Sequence, residues 1–134
     1  MLRTLVGAPL WEAVLQVRRR GGLVAGCSAG AMIIGAFVPN CGHKPRMIGW
    51  KGWRSGLGLA PDWAIMPHFD QSPELLVQIA LRPPRAAHML LGIDRDKALV
   101  GEDGTWRVCG RGRVSVVRGM RARRYRENEW VPVG

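Results

Sequence analysis

The run Gly26-Cys27-Ser28-Ala29-Gly30 constrains this chain more than any other stretch of it. It is a G-x-S-x-G pattern set between the apolar Leu23-Val24-Ala25 and an apolar, small-residue stretch from Ala31 to Val38. A serine in that position ends a buried strand and opens a helix, so the chain must turn sharply and bulky neighbours would collide with the strand and helix packed beside it. Gly26 and Gly30 are expected to relieve that crowding. The turn lifts the Ser28 hydroxyl above the sheet and aims the backbone amide of Ala29, at the helix N-terminus, toward a developing oxyanion. The same five residues also suit a glycine-rich strand-to-helix turn with no chemistry in it, so the rest of the chain has to decide between the two.

Ahead of the elbow, Pro9 stands where a helix starts. Leu10, Val14 and Val17 with Trp11 and Leu15 recur at three-to-four spacing until Gly21-Gly22 ends the pattern. Leu23 to Ala25 reads as a short buried strand of the kind parallel sheets carry. A helix, a strand, the elbow and a second helix make an α/β unit. Pro39 to Gly58 reads as a long loop holding Trp50-Lys51-Gly52-Trp53-Arg54, in which Trp50 and Trp53 either line a substrate or pack the loop onto the body. Trp63-Ala64-Ile65-Met66 is a second apolar strand. It ends in Pro67-His68-Phe69-Asp70, which puts an imidazole at the carboxyl end of a strand, where open α/β sheets keep their sites. His68 is therefore the candidate general base, against the plain alternative of a packed or surface histidine. Ser72-Pro73-Glu74 supplies an N-cap, an N1 proline and a first-turn acid for a helix to Leu81, which Pro83-Pro84 terminates. Met89 to Ile93 is a third buried strand, followed by Asp94-Arg95-Asp96, and Lys97 to Val100 continues extended. Turn signals at Glu102-Asp103-Gly104 and Gly110-Arg111-Gly112 separate Thr105 to Cys109 from Val114 to Val117, giving a C-terminal β-meander, and Arg118 to Gly134 reads as an edge strand or tail.

Residues 1–134 are sized for one domain, whose core could bury roughly 65–70% of the unfolded surface. The formal charge of +10 attracts polyanions whatever the fold. Much of it lies in Arg18-Arg19-Arg20 and between Arg111 and Arg126, as expected of a solvated face or a strand edge protected against aggregation. No recognition helix, zinc finger or RNP-type sequence accompanies it, so nucleic acid is not the expected partner. No apolar run approaches the ~18 residues of a spanning helix, and the first residues lack a signal-peptide layout; no membrane partner and a cytoplasmic location are expected. The 3 cysteines, odd in number and widely spaced, fit a reducing compartment. Cys41-Gly42-His43 is the only close Cys/His pair, so neither a metal nor another cofactor is expected.

Taken in order, Ala25-Gly26-Cys27-Ser28-Ala29-Gly30-Ala31, then Gly56-Leu57-Gly58-Leu59 leading to His68-Phe69-Asp70, then Gly92-Ile93-Asp94 and the meander, the motifs resemble the cyanophycinase and dipeptidase E family of serine peptidases. The resemblance covers nearly the whole chain. It implies a doubly wound, flavodoxin-like α/β fold of the class I glutamine amidotransferase type, with a mostly parallel sheet. It also implies Ser28 as nucleophile, His68 as base, the Ala29 amide as oxyanion donor, and a peptide substrate with aspartyl or β-aspartyl linkages. Cys27 stands one place before the position that cysteine holds in related amidotransferases.

Two departures shape the expectations. Cyanophycinase-like members carry Gly-Ile-Asp-Glu, whose glutamate completes the triad, and this sequence has Arg95 there. Asp94 and Asp96 flank it, and on an extended strand both point away from the side that residue 95 faces. Asp94 is the expected acid. The family's fold also begins with several strands and a glycine-rich loop that precede the helix at Pro9, so the chain is expected to be incomplete at its N-terminus and to lack the second oxyanion amide. Loss of one such donor typically costs ~2.7–4 kcal/mol of transition-state stabilisation. A chain of that kind is expected to form homo-oligomers or to fold poorly alone. The alternative to a hydrolase is a catalytically degenerate member that acts through association.

Overall fold

The computed structural model describes residues 2–41, 50–71, 87–102, 104–119 and 121–132. After a short turn of helix, α1 (Leu2–Leu5), the expected amphipathic pattern forms α2 (Pro9–Arg19), with proline at its start and Arg18 and Arg19 in its last turn, where cations suit the helix dipole. None of its residues is buried. Leu23 to Ala25 does not form the expected strand: the backbone there pairs with no other described segment, and Leu23 is 81% exposed. Three apolar residues state a preference for burial, but a strand also needs a neighbour to complete its ladder.

The helix after the elbow is shorter than its apolar run. α3 spans Ala29–Ile34, and at Gly35 the backbone turns extended to begin β1 (Gly35–Cys41), which forms a hairpin with β2 (Trp50–Ser55). Within the expected long loop, Pro39 to Cys41 and Trp50 to Ser55 are therefore strand. Phe37 and Val38 fit a pleated surface better than a second turn of helix. The chain returns through Gly56-Leu57-Gly58, whose amides donate to Ala36, Ile33 and Gly35 carbonyls at 2.7, 2.7 and 3.1 Å, and so holds the α3–β1 junction.

β3 (Ala60–Pro67) and β4 (Met89–Ile93) form where expected and run parallel in register from Trp63↔Met89 to Pro67↔Ile93. The expected helix at 72–81 lies outside the described residues. β5 (Lys97–Glu102) and β6 (Thr105–Gly110) make one hairpin, β7 (Val114–Arg118) and β8 (Arg121–Tyr125) another, and β9 (Trp130–Val131) adds to β6. These do not form a single meander. The first hairpin and β9 build a three-stranded sheet, whereas the second extends the main sheet, whose order is β2-β1-β3-β4-β7-β8. That sheet is mixed rather than mostly parallel: β1–β3 and β3–β4 are parallel, and β1–β2, β4–β7 and β7–β8 are antiparallel. Hairpins need only short turns, and the parallel pairs are those joined by longer connections.

The larger core lies between the two sheets. Trp63, Ile65, Met89, Leu91, Val114 and Val116 face Val108 and Val131, with Ala31 and Ile34 of α3 packed alongside. Trp63 meets Trp106 of β6 edge to face, at 4.9 Å between ring centroids. The opposite face of the main sheet buries Ala64, Phe69, Leu90 and Val117. β8 is one edge strand of this sheet and β2 the other; along β8, Arg121, Arg123 and Arg124 are exposed and Tyr125 is buried, and like charges along an edge discourage pairing with another sheet. Among the described residues no helix is long and apolar enough to cross a membrane.

Candidate active site

Ser28 immediately precedes α3 with φ 51° and ψ −118°, a conformation that few residues other than glycine adopt. Strain of this kind costs of order 1–3 kcal/mol and persists only where the surroundings enforce it. Here Gly26 allows it. A Cβ on Gly26 would stand 2.5 Å from Ile34 Cδ1 and 2.6 Å from the Gly30 carbonyl, so the chain on the two sides of the elbow can approach only at a glycine. Gly30 relieves crowding only as that close neighbour, since a Cβ of its own would meet nothing within 4 Å. The amides of Gly30 and Met32 donate to the Cys27 and Ser28 carbonyls, at 2.8 and 3.1 Å, while the Ala29 amide has no acceptor among the described residues. Cys27 is an exposed free thiol.

His68 follows β3, also in the left-handed region at φ 55°. Its Nε2 lies 3.2 Å from Ser28 Oγ. With the ring proton on Nδ1, Nε2 is the acceptor for the serine hydroxyl, the arrangement a general base needs. The chain then makes a 3-10 turn at Phe69–Gln71, closed by the Gln71 amide donating to the His68 carbonyl at 3.0 Å.

The expected acid is not at the ring. Asp94 Oδ2 accepts the Arg113 backbone amide at 2.8 Å and the Asp94 amide donates to the Arg113 carbonyl at 3.1 Å, so this carboxylate fastens the turn into β7. Among the described residues no carboxylate hydrogen-bonds the His68 ring. Arg95, at the place of the family's glutamate, instead reaches Asp70, with its backbone amide on Oδ1 and its Nε on Oδ2, both at 3.0 Å. The carboxylate of Asp70 is held below its ordinary range chiefly by the Arg95 backbone amide, which outweighs the opposing effect of desolvation, with the guanidinium's hydrogen bond and charge adding to the lowering. Nothing in the sequence pairs these two residues, because 25 residues separate them and only the folded strands bring them together.

A cleft of about 510 Å³ opens beside this turn at the carboxyl end of β4, lined among others by Phe69, Asp70, Asp94, Arg95, Arg113 and Ser115. Its lining includes neither Ser28 nor His68. Of the two tryptophans considered as substrate-lining, Trp53 packs against the cluster of Ala64, Phe69 and Leu90, as the packing alternative requires. Trp50 opens β2, and its side chain lies outside the described residues, as do Cys41, His43 and Glu74.

No protein-family model matches the chain. It is 31% identical over 111 residues to the cyanophycinase of Synechococcus elongatus, an alignment covering 81% of this chain and 34% of that protein. The cyanophycinase of Thermosynechococcus vestitus matches to the same extent. The chain thus spans about a third of the length of the curated relatives it matches. Among solved structures, a peptidase from an acI-B1 Actinobacterium superposes with a TM-score of 0.74 at 29% identity, over 95% of this chain and 52% of that one. These likenesses support a peptidase family and an α/β fold with a mixed sheet.

Proposed function

We propose that this chain carries the nucleophile and general base of a serine hydrolase that cleaves amide bonds, in a doubly wound fold of the class I glutamine amidotransferase type. The observation that carries the reading is the strained Ser28 at the head of α3 with its hydroxyl 3.2 Å from His68 Nε2. In the proposed reaction Ser28 Oγ attacks the substrate carbonyl while its proton passes to Nε2. The Ala29 amide donates to the oxyanion. The C–N bond then breaks as His68 returns the proton to the departing amine, leaving an ester on Ser28, and water delivered through the same imidazole hydrolyses it. The likeness to cyanophycinases and the resemblance to the dipeptidase E group favour aspartyl or β-aspartyl peptides as substrates, and the net charge of +10 suits an acidic one.

A fluorophosphonate probe tests this directly. Labelling of the purified protein at Ser28 is expected, absent in Ser28→Ala and reduced in His68→Ala. An unlabelled wild-type chain would overturn it. A second reading, association without catalysis, is favoured by Arg95 at the acid's place and by exposed Leu10, Val17 and Leu23. It predicts no labelling, together with self-association in sedimentation.

A further inference from the structure

The turn that carries His68 is anchored twice, both times on β4 or the residues just after it. Phe69, 5% exposed, lays its ring on Gly92 so closely that a Cβ there would stand 2.4 Å from the ring. One residue further on, both oxygens of Asp70 are taken by Arg95, through the backbone amide and Nε. With its amide turned so that the oxygen faces the guanidinium, Gln71 accepts from Arg95 at 3.2 Å as well. His68 sits at the base of this turn with φ 55°, a strained conformation that has to be imposed by its surroundings.

In a serine–histidine site the acid has two tasks, to fix the tautomer of the imidazole and to fix its orientation. The second can be performed from the backbone. We propose that Arg95 and Asp70 are positioning residues which hold the His68-bearing turn against the end of β4 and orient the imidazole toward Ser28, in place of a carboxylate on Nδ1. The inference rests on the hydrolase reading above for its consequence in rate, but its structural content does not. The two side chains are 58% and 30% exposed, so solvent screens their attraction and the pair adds little to global stability. Its contribution is geometric, because two oxygens held by two donors of one residue leave the turn a single orientation.

Four proteins decide the matter: wild type, Arg95→Lys, Arg95→Glu and Asp70→Asn. In each, the rate of fluorophosphonate labelling of Ser28 is followed across pH, alongside the thermal midpoint and the ring signals of His68 in proton–nitrogen NMR spectra. Arg95→Glu restores the family's residue and sets two carboxylates against each other. It is expected to slow labelling about tenfold or more, since a small misplacement of a base costs that much. Asp70→Asn is expected to do the same, Arg95→Lys to retain an intermediate rate through its backbone amide and ammonium, and all to melt close to wild type. The His68 ring signals should shift or broaden in Arg95→Glu and Asp70→Asn. Faster or unchanged labelling in Arg95→Glu would mean that position 95 is an acid's place and would overturn the proposal. Should the wild type not label, the hydrolase reading fails, and the NMR spectra alone judge the pair: unmoved His68 signals in Arg95→Glu overturn it, shifted ones uphold it.

Discussion

Ser28 Oγ lies 3.2 Å from His68 Nε2, and both residues hold left-handed backbone angles, φ 51° and 55°. Two strained positions meeting across 40 residues of chain are what a reactive pair requires and what a folding core does not. Substituting either residue should leave the fold in place. His68→Ala is expected to lower the reactivity of Ser28 by roughly 10²–10⁴-fold, the usual worth of a positioned general base, with an unchanged circular dichroism spectrum. A variant as reactive as wild type would separate the imidazole from the chemistry.

The elbow is asymmetric in its two glycines. In Gly26→Ala the new methyl meets Ile34 and the Gly30 carbonyl at 2.5 and 2.6 Å, and the backbone on that side cannot give way. A loss of about 1–3 kcal/mol in urea unfolding is expected, together with slower labelling. Gly30→Ala points into open space and should unfold close to wild type.

Burial separates two leucines that look alike in sequence. Leu91, 0% exposed in the core between the sheets, should cost about 2–5 kcal/mol when cut to alanine. Leu23 is 81% exposed, so Leu23→Ala should stay within about 0.5 kcal/mol. Equal losses in urea titrations would show that the stretch before the elbow is packed after all.

Asp70 gives the site an acid limit of known sign. A carboxyl group whose proton affinity is lowered by folding contributes above its ordinary value of 3.8, and the contribution fades as pH falls below that value. Carbon-13 NMR titration of the Asp70 carboxyl should place its midpoint under 3.8 in wild type and nearer that value in Arg95→Ala. An Asp70 midpoint unmoved by that substitution would show that the backbone amide alone holds the carboxylate and the guanidinium adds nothing.

The elements legible in the sequence are those where one pattern admits one structure. Proline and a three-to-four repeat specify α2, and short apolar runs bounded by turn residues specify β3, β4, β6 and β7. The unbroken apolar run from Ala31 to Val38 carries no period, so the change from helix to strand at Gly35 is invisible until Phe37 and Val38 find partners. Likewise the turn at Gly110–Gly112 announces a reversal without saying that β6 and β7 enter different sheets. The approach of Ser28 to His68 is legible in the order of the motifs, an elbow followed by a histidine at the end of the next apolar strand. The contact of Asp70 with Arg95 is not, since it exists only once β3 and β4 have aligned in parallel.

The mixed sheet also sets an order in time. Hairpins such as β7–β8, paired from Arg118↔Arg121 outward, and β5–β6, paired from Glu102↔Thr105, close within microseconds on their own. Parallel pairing of β3 with β4 has to bear the closure of a much longer loop before any ladder bond rewards it, and so comes late. The contacts of Phe69 with Gly92 and of Asp70 with Arg95, which anchor the His68-bearing turn, wait on that event. A chain leaving the ribosome therefore exposes its elbow long before β4 exists, and it passes through synthesis and early collapse with an unremarkable hydroxyl. The Ser28 hydroxyl proposed above as nucleophile thus gains the anchored form of its histidine-bearing turn only after that parallel pairing.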